Sequence, residues 1–116
     1  MLNQVTLVGR LVSDPEIIET ETGTKQGRIT LAVPRSYKNV EGIYETDFLE
    51  CRLWTNVAVN TKEYCLKGDL VGIKGRLETE TIEIENGKKV LQMYINTERV
   101  SFLSSKPKER EEENGD

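Results

Sequence analysis

The stretch TDFLECRLW, which ends at Trp54, alternates two kinds of side chain. Leu49, Cys51 and Leu53 share one parity and are apolar. The other parity carries two aromatic rings, Phe48 and Trp54, with charged residues between them. Because successive side chains of a β-strand point to opposite faces, the stretch predicts a strand with one core face and one aromatic, charged face. Rings on a solvent face provide flat apolar surfaces to which a partner could bind.

The residue types argue against covalent chemistry. The chain has no histidine, so the commonest general base and every Ser-His or Cys-His pair are missing. No pair of carboxylates stands apart from ordinary surface acids, and we therefore expect no enzyme activity and no catalytic residue. The two cysteines, Cys51 and Cys65, lack the CxxC spacing of a zinc site, so we expect neither a metal nor another cofactor. Both are interpreted as small buried apolar residues in a reducing cytosol.

Length and composition are typical of one small domain. The chain has 116 residues, of which 36% are hydrophobic and 31% are charged. The N-terminus lacks the basic region of a signal peptide, and no apolar run approaches the ~18 residues that span a membrane. We therefore expect a cytoplasmic protein with no membrane partner. The net charge of −4 argues against a strongly basic nucleic-acid binder, although part of it comes from the last eleven residues, KPKEREEENGD, with five acids against three bases.

Hydrophobic periodicity predicts five strands. They are VTLVGRLV, RITLAVPRSY, TDFLECRLW, LVGIKGRLETETIEI and KVLQMYINTERVSFL. Between the third and fourth strands, TNVAVNTKEYCLKGD changes to a helical period and ends at Gly68, a typical helix stop. The connection SDPEIIETETGTKQG after the first strand is interpreted as turn-rich, and Asn86-Gly87 predicts a tight hairpin before the last strand.

This order of elements predicts an all-β fold with one short helix. It matches the five-stranded OB barrel, which commonly has a helix between its third and fourth strands. Gly9, Gly72 and Gly75 lie where strands of a small barrel must bend.

Four segments, in this order along the chain, resemble the bacterial single-stranded DNA-binding protein family. They are MLNQVTLVGRLVSDPE, ITLAVPRSY, TDFLECRLW and LKGDLVGIKGRLET. We expect the OB-fold domain to cover residues 1–105. Residues 106–116 lack apolar side chains and are expected to form a disordered acidic tail. The resemblance implies a homotetramer that binds and protects single-stranded DNA regardless of sequence, in replication, recombination and repair at the nucleoid.

The resemblance also implies a binding mechanism. Unpaired bases stack on aromatic rings for about 1–3 kcal/mol each, and lysine and arginine contact the phosphates. The implied stacking residues are Tyr37, Phe48 and Trp54. The implied phosphate contacts are Arg35, Lys38, Arg52, Lys67, Lys74 and Arg76. Alternatives remain open: Trp54 could be a core residue, Tyr37 a loop residue, and Lys67 a partner of the helix dipole. Tyr64 is expected to pack in the core, and the roles of Tyr44 and Tyr94 are left open.

Several residues depart from the family pattern. Ile82 lies where some members have a further stacking tryptophan, so one aromatic platform is lost. Other positions that are often basic in the family are occupied by Gln4, Ile18, Glu50, Glu78 and Glu80. The end EREEENGD lacks the aromatic tip with which many members recruit replication and repair proteins, as expected of a shortened chain or a short paralogue from a mobile element. The acidic residues of the predicted hairpin and the lost platform at Ile82 favour an alternative, an OB-fold replication-restart or assembly factor that acts mainly through protein contacts. Phe48, Trp54 and Tyr37 argue against it, and an OB module for RNA or oligosaccharide is a third interpretation.

The first predicted strand carries apolar residues on both parities. Val5 and Leu7 lie on one parity, Leu2 and Val8 on the other. A strand buried on both faces in so small a domain suggests burial against another subunit. Together with the family resemblance, this pattern predicts a tetramer built from dimers through the first strand.

Overall fold

The computed structural model describes residues 1–104. The predicted acidic tail, residues 106–116, lies outside the described residues. The elements are β1 (Val5–Leu11), β2 (Glu16–Glu19), β3 (Lys25–Lys38), β4 (Tyr44–Trp54), α1 (Thr55–Tyr64), β5 (Leu70–Glu83), a 3-10 turn (Glu85–Gly87) and β6 (Lys89–Phe102).

Five of these strands close a barrel, which confirms the predicted OB fold. The sheet order is β1-β5-β6-β4-β3-β2, and a further pairing between β1 and β3 closes the ring. All neighbours within the ring are antiparallel except β4 and β6. Within residues 1–104, β2 pairs with β3 alone and stands outside the ring. Helix α1 therefore lies between the third and fourth barrel strands, as predicted.

The connection after β1 contains the predicted turn and, in addition, a short strand that the sequence did not indicate. Its residues Glu16–Glu19 form β2, which pairs with Lys25–Arg28 of β3. The turn itself is limited to the segment closed by the hydrogen bond from the Thr20 N–H to the Thr24 carbonyl, at 2.8 Å. The four residues EIIE are too few, and too little alternating, to show a period of two.

The barrel interior contains Cys51 and Leu53 of β4, which the strand parity placed there, whereas Leu49 is half-buried. Its most fully buried side chains include Leu31, Cys51, Leu53, Val71 and Ile73. Helix α1 closes one side through the buried Ala58 and Thr61. Tyr64, the last residue of α1, differs from the prediction: it is 42% exposed, and its ring lies against Phe102 with the ring centroids 5.8 Å apart. The buried side of α1 carries Ala58 and Thr61, and Tyr64 lies at its margin.

Two glycines are required where strands approach each other closely. The pairing of β5 with β6 shifts register between Lys74 and Gly75, and a Cβ on Gly75 would collide with the carbonyl oxygen of Asn96. A Cβ on Gly9 would lie 2.8 Å from the carbonyl oxygen of Ala32. Gly72, by contrast, has no atom within 3.7 Å of the corresponding position, so closure of the barrel does not require a glycine there.

The β5–β6 hairpin extends beyond the barrel and has the predicted turn. Asn86 and Gly87 have φ of 63° and 71°, as two-residue hairpin turns require. Strand pairing continues to Glu83 and Lys89, directly beside the turn.

Candidate nucleic-acid interface

Strand β4 has the two faces that its sequence predicts. Leu53 is 1% exposed and lies in the core, whereas Phe48, on the opposite parity, is 65% exposed. Trp54, the last residue of β4, is half-buried. The aromatic residues of β4 therefore lie on the outside of the barrel.

The junction between β4 and α1 fixes the position of Trp54. Trp54 pairs with Gln26 of β3, and the next residue, Thr55, has φ of +48°. A β-branched residue rarely adopts this left-handed conformation, and such strain persists only where the surrounding structure imposes it. The junction holds Trp54 at the edge between the sheet and the helix.

The tip of the β3–β4 hairpin forms a second group of exposed rings. Lys38 and Tyr44 pair across the two strands, and Lys38 Nζ lies 5.6 Å from the centroid of the Tyr44 ring. Tyr37 is exposed beside them. The structure therefore brings Tyr44, whose role the sequence left open, to the same tip as Tyr37 and Lys38.

Arg35 is engaged within the β3–β4 hairpin. Its Nε and Nη2 donate to the two carboxylate oxygens of Asp47 at 3.1 and 2.9 Å, and its Nη1 donates to Glu45 at 2.7 Å. The hydrogen bond with Asp47 raises the pKa of Arg35 and lowers the pKa of Asp47. A phosphate would have to compete with two carboxylates for this guanidinium.

The strand register aligns three arginines across the outer face of the sheet. Arg28 pairs with Arg52, Arg52 with Asn96, and Asn96 with Arg76. We call Arg28, Arg52 and Arg76 the arginine row. Its partners are three glutamates, in the ion pairs Arg28–Glu50 at 3.9 Å, Arg52–Glu50 at 3.2 Å, Arg76–Glu78 at 3.3 Å, and Arg52–Glu80. The acids that depart from the family pattern at positions 50, 78 and 80 thus neutralise the row.

Arg52 is the most enclosed residue of the arginine row. Its side chain is 6% exposed, and its Nη1 donates to Glu80 at 3.0 Å. Its guanidinium carbon lies 3.9 Å from the centroid of the Tyr94 ring. The hydrogen bond between Arg52 and Glu80 raises the pKa of Arg52 and lowers that of Glu80. This position does not leave Arg52 open to a phosphate unless Glu80 is displaced.

Tyr94 and Glu78 form the adjoining part of the same network. Tyr94 Oη donates to one carboxylate oxygen of Glu78 at 2.9 Å, and Asn96 Nδ2 donates to the other at 3.0 Å. Hydrogen bonds from Asn96 and Tyr94 lower the pKa of Glu78, and the bond to Glu78 raises the pKa of Tyr94. Tyr94 and Arg28 were not chosen from the sequence as binding residues, although their parity, opposite to that of Ile95 and Ile29, would have placed both on the outer face.

The three candidate lysines lie further apart. Within residues 1–104, none of Lys38, Lys67 and Lys74 forms an ion pair. Lys74 is exposed on β5, two residues before Arg76. Lys67 follows α1, a helix of ten residues and therefore about 15 Å long, which separates it from Trp54. The structure groups Phe48, Trp54 and the arginine row, and leaves Lys67 at the other end of the helix.

Metal clusters and membrane-spanning helices are absent from the part of the chain that the structure describes. Residues 1–104 contain no group of three or more His, Cys, Asp or Glu side chains that could hold a metal ion. No helix in this range is long and apolar enough to cross a membrane.

Comparison with known proteins identifies the family of this chain. The model of the single-strand binding protein family matches residues 2–103. The chain belongs to this family. Single-stranded DNA-binding protein B of Bacillus subtilis (strain 168) is 44% identical over 110 residues, which cover 95% of this chain and 97% of that protein. Single-stranded DNA-binding protein A of the same organism is 42% identical over 106 residues, 91% of this chain and 62% of that protein.

A third relative, like protein A, is matched over only part of its length. Single-stranded DNA-binding protein 3 of Listeria innocua serovar 6a is 43% identical over 106 residues, and the match covers 91% of this chain but 66% of that protein. The matches thus span nearly all of protein B and about two thirds of the longer relatives. Membership of the single-strand binding protein family confirms the resemblance found in the sequence.

Proposed function

We propose that this protein binds and protects single-stranded DNA, regardless of base sequence, in bacterial replication, recombination and repair. The proposal follows from family membership and from the names of the relatives. Among the structural observations, the one that carries it is the exposed ring of Phe48 on the face of β4 opposite the buried Leu53. We propose no enzymatic step, and we place the protein at the DNA of the cytoplasm.

In the proposed mechanism, bases stack on Tyr37, Phe48 and Trp54. Stacking does not depend on sequence because every base has a π-face, and it contributes about 1–3 kcal/mol per base. Phe48 and Trp54 are six residues apart on one strand, which corresponds to about 20 Å. One base cannot reach both rings, so the DNA runs along β4 and places different bases on each.

In the proposed mechanism the main phosphate contacts come from three lysines. Lys38, Lys67 and Lys74 form no ion pair within the described residues, whereas Arg35 and Arg76 must exchange a carboxylate for a phosphate. Each contact with single-stranded DNA adds about 0.7 to the slope of log affinity against log salt. Because the arginine row is already neutralised, we expect a shallow slope.

The proposed assembly is a homotetramer built from dimers through β1. Within residues 1–104, Val5–Gly9 pair with β5 alone, so their second edge has no strand partner. On the outer face of β1, Val8 is 53% exposed. An open edge beside exposed apolar residues favours pairing with a second copy.

The test is fluorescence anisotropy with labelled DNA of about 65 nucleotides, long enough for four OB folds at up to about 16 nucleotides each. Oligo-dT and a mixed single strand should bind with similar affinity, and a duplex of the same length should bind far more weakly. Equal affinity for the duplex, or no binding of either single strand in low salt, would contradict the proposal.

The neutralised arginine row favours a second candidate, an assembly factor that acts mainly through protein contacts in replication restart. Three arginines that already face glutamates attract phosphates weakly. In the same titration this candidate predicts no saturable binding of oligo-dT in low salt, even if the protein forms its tetramer. Saturable binding of oligo-dT would contradict this candidate.

A further inference from the structure

Tyr94 is an aromatic residue of the outer face that is not among the three proposed stacking residues. It lies on β6, the barrel neighbour of β4, and pairs with Glu78 of β5. The Arg52 guanidinium carbon lies 3.9 Å from its ring centroid, so a cation lies against one face of the ring. Arg52 and Glu50 are the two residues between Phe48 and Trp54 on the aromatic face of β4.

The ring is held rigidly at both of its contacts. Its hydroxyl donates to Glu78 at 2.9 Å. Arg52, against the ring face, is held in turn by Glu50 and Glu80. A ring that is already fixed loses little side-chain entropy when a ligand binds to it. The network therefore has the rigidity of a prepared stacking surface.

Tyr94 also lies beside an opening. Tyr94 lines a cavity of about 230 Å³ between β4 and β6, together with Phe48 and Met93. Among residues 1–104 the one pair of stacked or tilted rings is Tyr64–Phe102, so no other aromatic side chain covers Tyr94. Tyr94 is half-buried, and it shares its opening with a proposed stacking residue.

We propose that Tyr94, backed by Arg52, is a further base-stacking platform beside Phe48, and that its ligand is a nucleobase of single-stranded DNA. This inference rests on the proposed function. It assigns to Arg52 the role of a positioning residue, which supports the ring and does not contact a phosphate. It also places an aromatic platform on β6, in a chain whose β5 has Ile82 instead of a ring.

The direct test moves the single tryptophan of the chain. In a Trp54→Phe, Tyr94→Trp variant, the introduced indole should be quenched as oligo-dT binds, in step with anisotropy of the labelled DNA. The matched control is Trp54→Phe, Tyr64→Trp, whose indole lies at the end of α1 beside Phe102 and should change little. Absence of quenching in the first variant while DNA binds, or equal quenching in both, would overturn the inference.

Affinity gives a second readout. Tyr94→Leu should weaken oligo-dT binding by about 5- to 150-fold, the range that one stacked base supplies. Tyr94→Phe keeps the ring and should bind within about threefold of the native chain, a difference well below that range. If Tyr94→Phe lost as much affinity as Tyr94→Leu, the hydroxyl and not the ring would be responsible, and the inference would fail.

The two proposals fail in different ways. If the native chain binds oligo-dT with quenching of Trp54, but neither Tyr94 experiment gives the expected result, this inference alone is overturned. If the native chain does not bind oligo-dT, the proposed function is overturned with it.

Discussion

Replacement of Phe48 by Ala separates binding from folding. The ring is 65% exposed, so only about one third of it is removed from water. Full burial of a phenylalanine contributes about 1.5–3 kcal/mol, and the free energy of unfolding should therefore fall by only about 0.5–1 kcal/mol. The loss of one stacked base should weaken DNA binding by about 1–3 kcal/mol, or about 5- to 150-fold.

The matched variant for this experiment is Leu53→Ala, on the same strand. Leu53 is 1% exposed, and truncation of a buried leucine lowers the free energy of unfolding by about 2–5 kcal/mol. Urea denaturation measures stability in both variants, and anisotropy with labelled oligo-dT measures affinity under conditions where both are folded. We expect Phe48→Ala to lose affinity and keep most of its stability, and Leu53→Ala to do the reverse. The reasoning would be refuted if Phe48→Ala bound oligo-dT within twofold of the native chain, or lost as much stability as Leu53→Ala.

Four further predictions concern charge, pH dependence, backbone and assembly. Glu78→Gln should release Arg76, raise the affinity for oligo-dT and steepen the slope of log affinity against log salt by up to about 0.7. The control Glu63→Gln, on α1, makes the same charge change and should do neither. Equal slopes in the two variants would count against a role for the arginine row. Folding lowers the pKa of Glu78 from its unfolded value of about 4.3, so the Glu78 carboxylate stabilises the fold at a pH above that value. This stabilisation is lost as the pH falls through the folded-state pKa. The urea midpoint of Glu78→Gln should therefore depend less on pH in acid than the midpoint of the native chain. Gly75→Ala should destabilise the barrel by about 1–3 kcal/mol in urea denaturation because its Cβ meets the Asn96 carbonyl, and Gly72→Ala should not; similar losses would mean that the bulge is not the cause. Val8→Glu should reduce the oligomer seen by sedimentation while Val59→Glu on α1 leaves it unchanged, and a native chain that sediments as a monomer would exclude the proposed tetramer.

Much of the fold follows from the sequence because the strands of the barrel are long and alternate clearly. In β4 the parity separates Leu53 from Phe48, and the structure has them on opposite faces. Asn86-Gly87 predicts its turn because two successive positive φ angles are tolerated by few residue pairs. Strand β2 could not be found in this way, since four residues that pair only with β3 need not alternate.

The environment of Arg52 could not be predicted from parity. Its parity places it outside the barrel, yet its side chain is 6% exposed, because Tyr94 of β6 and Glu80 of β5 lie over it. Which residues of three strands meet depends on their register, and the parity of one strand contains no information about register. The neutral arginine row and the Arg52–Tyr94 contact are therefore visible only in the structure.

The central claim, that bases stack on the outer face of β4, is tested most directly by the fluorescence of Trp54 during a titration with oligo-dT. The chain has one tryptophan, so the whole signal comes from the end of β4. We predict strong quenching of the Trp54 emission that saturates together with the anisotropy of the labelled DNA. The emission should recover when added salt releases the DNA. Binding of oligo-dT that left the emission of Trp54 unchanged would contradict stacking at this position, and absence of binding would contradict the proposed function itself.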